Sequence, residues 1–147
     1  MKTNLCGYIE NNLHYLPVRV YFSDTDAGGV IYHAKYLDMA EHARTELLML
    51  LGIDHSGHLK AKNECFVVRT VKIDYITPGF LEEELVIRTK MVKQGKFSLE
   101  MVQEVVREDT VLARLDLKLG FISLSTGRPS PIPSEWAAEL HDIYVSI

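Results

Sequence analysis

The chain has 147 residues, 47% of them hydrophobic and 24% charged, with a formal net charge of −4 at pH 7. That length suits one domain with a substantial core, and the scattered Lys and Arg residues form no basic stripe for nucleic acid. No apolar run is long enough to span a bilayer and the first residues lack a secretory core, so a cytoplasmic protein is expected, with Cys6 and Cys65 reduced.

Residues 1–11 precede the first strand-like run and are expected to hang loose or cover an edge, as an extension of a single domain spanning 1–147. Pro17 introduces a β-rich run, Val18 to Ser23, which reads as the first strand. Directly after it comes Asp24-Thr-Asp-Ala-Gly-Gly-Val-Ile-Tyr-His33. From about His33 to Leu51 the residues Tyr36, Ala40, Ala43, Leu47 and Leu51 recur at helical spacing, Leu37 and Leu48 widen the stripe, and Gly52 supplies the stop. His55-Ser-Gly-His58 follows with loose spacing and no third ligand, so it reads as a loop with solvated histidines and no metal.

Between Cys65 and Ser125 the sequence alternates in period two. Val67, Val71, Ile73 and Tyr75 are expected on one face of their strand. Leu85, Ile87 and Met91 share a face of the next, and Phe97, Leu99, Met101 and Val105 a face of the third. Ala113, Leu115, Leu117, Leu119 and Phe121 then alternate with Arg114, Asp116 and Lys118. Turn signals at Pro78-Gly79, Gln94-Gly95-Lys96 and Glu108-Asp109 divide the region into four long strands of an antiparallel meander. Pro129, Pro131 and Pro133 form a rigid connector to a short helix, Glu135 to Asp142, capped by Ser134. One strand, one long helix and four strands predict an α+β domain whose sheet of about five strands wraps the helix. One helix covers one sheet face, so the other face and an edge strand call for a homo-oligomer.

Asp24 and Asp26 lie upstream of the long helix, because Gly28-Gly29 and the β-branched Val30-Ile31 disfavour helix before Tyr32 or His33. No Ser, Thr, Asp or Asn stands at Ile31, Tyr32 or His33 to cap it, which leaves first-turn amides for a ligand. The glycine pair lets the chain fold back and place a carboxylate beside that end. The amides then polarise a carbonyl while the carboxylate activates water or attacks, the pairing that acyl hydrolysis needs. The same residues also suit a plain turn. A calcium loop fails, since its fifth position falls on Gly28 and its twelfth on Lys35. There is no Gly-x-Ser-x-Gly elbow and no partner motif for either cysteine.

Val-Arg-Val-Tyr-Phe-Ser-Asp-Thr-Asp-Ala-Gly-Gly-Val-Ile-Tyr-His-Ala-Lys-Tyr (Val18 to Tyr36), Glu41-His-Ala-Arg-Thr-Glu46, Phe66-Val-Val-Arg69 and Asp74-Tyr-Ile-Thr-Pro78 resemble the signature of the 4-hydroxybenzoyl-CoA thioesterase-like hotdog proteins. Within them the chain is most similar to the Tol-Pal-associated acyl-CoA thioesterase group. The resemblance implies a hotdog fold, a homodimer assembling into a homotetramer, and hydrolysis of an acyl-CoA or acyl-carrier-protein thioester with no metal or other cofactor. It implies that Asp26 is the catalytic carboxylate and that the helix end at His33 supplies the carbonyl-polarising amide. The His33 side chain has two readings, a direct role at the site or capping of its own helix end. Gly29 and Val30 of the same loop are substrate-binding candidates, and Asp24 is expected to hydrogen-bond the loop. Tyr32 lines the acyl pocket or packs. Arg69 interrupts an apolar face, so it is expected to be buried and to meet a CoA phosphate or a carboxylate across the dimer. A hotdog hydroxyacyl dehydratase and a non-catalytic acyl-thioester binding module are the alternatives.

Overall fold

The computed structural model describes residues 4–144. Its strands are β1 (Tyr8–Glu10), β2 (Leu13–Arg19), β3 (Glu64–Tyr75), β4 (Glu84–Gln94), β5 (Ser98–Arg107) and β6 (Thr110–Ser123). They form one antiparallel sheet in the order β1-β2-β4-β5-β6-β3. Helix α1 (Lys35–Leu50) lies along one face; α2 (His55–Lys62) and α3 (Ser134–Asp142) are the two shorter helices. No helix among the described residues is long and apolar enough to cross a membrane.

α1 buries Tyr36, Met39, Ala40, Ala43 and Leu47. The small Ala40 and Ala43 let its backbone approach Leu85, Ile87, Leu115 and Leu117, which are buried in the same cluster. A second cluster joins Leu47, Leu99, Leu119 and Phe121 to Trp136 and Leu140 of α3. His55 and His58 are not solvated loop residues: they sit on α2 with their rings against Trp136. His55 Nε2 accepts from the Phe66 amide at 3.1 Å and His58 Nε2 meets Glu64 Oε1 at 2.9 Å.

Several sequence expectations change. The sheet has six strands because Asn11 and Asn12, both at positive φ, turn the N-terminal stretch back as the two-residue β1–β2 hairpin. Tyr8–Glu10 of the extension is thus an edge strand, while its first three residues lie outside the described residues. The first strand read from Val18 begins at Leu13 and ends at Arg19, and Phe22–Asp24 is a 3₁₀ turn. Pro17 is tolerated inside β2 because β1 pairs only as far as Tyr15, leaving the outer edge bare beyond it. The meander holds for β4, β5 and β6, but β3 pairs with β6 instead of β4. Residues 76–83 are therefore no hairpin turn but a strap across the end of the sheet, tied by Ile76 N–H to Leu112 O and by Glu82 N–H to Val20 O.

In β3 the register shifts between Val68 and Thr70, so Arg69 is a bulge. Val68, not Val67, joins Val71 and Ile73 on the face they share with their β6 partners Leu119, Leu117 and Leu115. Arg69 is exposed rather than buried, its stem lying over Gly120. Phe97 precedes β5 and is exposed, with the Lys96 ammonium over its ring. Ser134 is the first helical residue of α3 rather than its cap, which is Pro133. On the sheet face away from α1, Arg88–Glu104, Lys93–Glu100 and Arg114–Asp116 pair. The exposed apolar edge is β3, where Val68, Val71 and Tyr75 are 46%, 40% and 51% accessible.

His14 is 1% exposed in β2, where its Nε2–H donates to the Cys6 carbonyl at 2.7 Å. Burial pushes its pKa below the usual histidine range, outweighing the opposing pull of that carbonyl and of Glu46. The unfolded chain then binds this proton more readily than the folded one. Stability is therefore present above the unfolded pKa, about 6.5, and is lost as pH falls below it. Thermal melts are expected to show a steeper drop in Tm between about pH 7 and 5 for the natural protein than for His14→Gln.

Candidate active site

The carboxylate segment folds into a small closed loop. The Asp24 carboxylate accepts the Tyr21 amide at 2.9 Å across the 3₁₀ turn, and the Asp24 carbonyl accepts from Tyr32 N–H at 2.8 Å. Asp24 thus holds the loop. Asp26 N–H donates to Val30 O at 2.9 Å and Gly29 N–H to Asp26 O at 3.1 Å, with Gly29 at φ +83°. That left-handed position favours glycine. Asp26 Oδ1 accepts from Gly28 N–H at 2.8 Å and Val30 N–H at 3.4 Å. Among the described residues Oδ2 takes no hydrogen bond.

The strap supports this loop from below. Ile31 N–H donates to Gly79 O at 2.9 Å, and a Cβ at Gly79 would lie 2.5 Å from Ile31 Cδ1 and 3.0 Å from Leu112 Cδ1. A side chain there would have to push the buried tips of Ile31 and Leu112 aside. At the end of β3, Tyr75 Oη donates to the His33 carbonyl at 3.0 Å, and its ring meets Tyr36 edge-on at 5.6 Å. Burial raises the Tyr36 pKa, opposed by the Gly79 amide at its hydroxyl, so this phenol stays neutral at physiological pH.

α1 begins at Lys35, two residues later than its sequence pattern suggests. Lys35 N–H and Leu37 N–H are taken by Tyr32 O and Ala34 O. Among the described residues no acceptor takes the His33 or Ala34 amide, so both are unpaired donors at the helix entrance.

Asp26, Val30, His33, Tyr36, Tyr75 and Thr77 face a common cleft of about 330 Å³. Of the sequence-derived candidates, Asp26, Val30 and His33 come together there. Gly29 faces a separate hollow with Phe22, Thr25 and Leu81, which Asp26 also borders. Tyr32 is exposed, with its ring on that of His33 at 4.4 Å. Arg69 lies in mid-β3, outside the cleft. Tyr36 and Tyr75 line the cleft and Gly79 supports its loop, positions that sequence reasoning did not assign. Asp74-Tyr-Ile-Thr-Pro78 was the available signal, but nothing in the spacing says that Tyr75 reaches back to His33.

The family model described as the thioesterase superfamily matches residues 28–114. The acyl-CoA thioesterase YbgC of Haemophilus influenzae is 35% identical over 127 residues, covering 86% of this chain and 93% of that protein. The acyl-CoA thioester hydrolase YbgC of Escherichia coli O157:H7 is 36% identical over 124 residues, covering 84% and 92%. Among solved structures, a probable thioesterase from Bartonella henselae aligns with a TM-score of 0.77 at 28% identity, covering 82% of this chain and 99% of that one. A 1,4-dihydroxy-2-naphthoyl-CoA thioesterase from Synechocystis, at 20% identity, shares the fold with a TM-score of 0.82 over 88% and 96%. The long helix wrapped by an antiparallel sheet is the hotdog fold, and the chain belongs to the thioesterase superfamily.

Proposed function

We propose that the protein is a cytoplasmic acyl-CoA thioester hydrolase that uses Asp26 and no metal or other cofactor. The observation that carries this reading is the Asp26 carboxylate, fixed through Oδ1 by the Gly28 amide with Oδ2 unengaged, beside a cleft at an uncapped helix entrance. The thioester carbonyl lies against the His33 and Ala34 amides, which stabilise the oxyanion as the carbonyl carbon becomes tetrahedral. Asp26 either takes a proton from the attacking water or attacks the carbonyl to form an anhydride that water then opens. Both routes break the C–S bond and release CoA thiol and a carboxylic acid. Tyr75 positions the helix entrance through the His33 carbonyl, and Val30 lies against the acyl group.

The exposed apolar edge of β3, beside Tyr75 and the cleft, supports a homodimer built across that strand, and a homotetramer from two such pairs. Such pairing brings the bulged Arg69 close to the partner copy, where it meets a CoA phosphate or a carboxylate. Acyl carrier protein is the other carrier of the same thioester. Hydrolysis run in ¹⁸O-water is expected to yield free thiol and labelled acid. An unsaturated thioester without thiol would identify a dehydratase, and bound, intact thioester a binding module.

A further inference from the structure

The strap, residues 76–83, touches the carboxylate loop at both of its limbs. On the entry limb Val20 N–H donates to Glu83 O at 2.9 Å, and Val20 O accepts from Glu82 N–H at 2.8 Å. On the return limb Ile31 N–H donates to Gly79 O at 2.9 Å, and Val30 bridges Phe80. That limb in turn sets Asp26, since Val30 O accepts the Asp26 N–H at 2.9 Å and Val30 N–H reaches Asp26 Oδ1 at 3.4 Å. The line of the backbone through residues 78–80 therefore decides where the carboxylate stands against the helix entrance.

Gly79 has no side chain to hold that line, and an ion pair grips its two neighbours instead. Arg107, the last residue of β5, donates from Nη1 to Pro78 O at 3.1 Å and to Glu83 Oε1 and Oε2 at 2.9 and 3.2 Å. Glu83 Oε1 also accepts the Phe80 N–H at 2.7 Å. One pair of charges thus brackets Gly79, with the carbonyl before it and the amide after it both bound. Each side chain is 26% exposed, so the pair is partly shielded from water and holds better than a fully exposed one. Neither residue lines the Asp26 cleft.

We infer that Arg107 and Glu83 are positioning residues for Asp26, acting on the reaction only by clamping the strap under the carboxylate loop. Misplacing a reacting group by about 1 Å can cost roughly 10²-fold in rate, so a clamp two bonds removed from the carboxylate has leverage. Arg88–Glu104 is its matched control: the contact is again 2.9 Å, with 34% and 27% exposure, but it binds no part of the strap. The rate effect rests on the hydrolase reading above, whereas the hold on the loop does not.

Amide hydrogen exchange of the full chain, read by NMR, is paired with thiol release. In Arg107→Met the Asp26 and Ile31 amides are expected to exchange about tenfold faster, the weight of a lost charge-assisted hydrogen bond, while amides paired between β5 and β6 keep their protection. The kcat is expected to fall about tenfold with KM within about twofold. In an Asp26→Asn background the same substitution adds less than about twofold, because the carboxylate it positions is gone. All three acceptors of Arg107 meet one nitrogen, so the three-donor ammonium of Arg107→Lys is expected to restore most of the rate. Arg88→Met leaves loop exchange and kcat unchanged. If Arg107→Met fails to fold, Glu83→Gln, which keeps an acceptor for the Phe80 amide, shows the same changes at about threefold. Unchanged Ile31 exchange in these variants, a natural kcat alongside quickened exchange, or a rate loss that persists in full in Asp26→Asn would overturn the inference. Were the natural protein to release no thiol, Ile31 exchange would still decide: unchanged protection overturns the hold on the loop and faster exchange upholds it.

Discussion

Gln103→Leu is expected to lower the unfolding free energy by about 3 kcal/mol, although leucine is the more apolar side chain. Gln103 is fully buried in β5 at a position where the alternation of Leu99, Met101 and Val105 calls for a core hydrophobe. Its amide ties β5 to two other elements through three partners: the Ala40 carbonyl and, through Oε1, Arg44 on α1, and the Thr89 hydroxyl on β4. Leucine fills the space but satisfies none of these groups, and it leaves the half-buried Arg44 guanidinium without this acceptor. For a chain of this size the loss corresponds to a Tm about 6–12 °C lower in a calorimetric scan. A melt within about 1 °C of the natural protein would show that water serves these groups equally well.

The polar row His14, Thr89 and Gln103 also shows where sequence reasoning stops. The three residues sit on paired positions of β2, β4 and β5, so they form one buried strip across the sheet. Period-two alternation marks the face of each strand, but it cannot say that a polar residue on that face is satisfied by strands far away in the chain. α1 and the spans of β4, β5 and β6 were legible because their apolar periods are long, even with Thr89 and Gln103 standing in the core rows of β4 and β5. β3 was not. Its pattern is continuous in sequence, yet the bulge at Arg69 shifts the phase, so Val67 and Val71 fall on opposite faces. Strand order was equally hidden, because Pro78-Gly79 marks a change of direction without saying how far the chain then travels. α2 escaped notice because His55 to Lys62 has no apolar stripe and buries none of its residues fully.

The carboxylate segment was more legible, for a local reason. Asp24, Asp26 and the glycines make their bonds within the loop, so short-range chemistry pointed to the segment, while the choice of Asp26 over Asp24 came from the family resemblance. The helix entrance was placed slightly early because Tyr32 O captures Lys35 N–H, which leaves His33 and Ala34 in a turn ahead of α1. The supporting residues from β3 and the strap were invisible locally, since Tyr75 and Gly79 reach the loop only through the β3–β6 pairing and the crossing of residues 76–83.

Asp26→Asn tests the site with the least structural disturbance. The Asn carbonyl oxygen can accept the Gly28 amide as Asp26 Oδ1 does at 2.8 Å, so the loop keeps its shape and the melting temperature is expected to stay within about 2 °C. What disappears is the charge: the amide neither takes a proton from water nor attacks a carbonyl. A single positioned acid or base typically contributes roughly 10²- to 10⁴-fold, and the loss is expected in kcat more than in KM because the carboxylate acts on the reacting atoms. The direct measurement is thiol release from short-chain, long-chain and aromatic acyl-CoAs by the natural protein and Asp26→Asn side by side. Turnover of at least one thioester by the natural protein, falling roughly 10²-fold or more in a folded Asp26→Asn, is the predicted result. Turnover that is unchanged in Asp26→Asn would contradict the role given to this carboxylate, and no thiol release from any thioester by the natural protein would contradict the proposed activity itself.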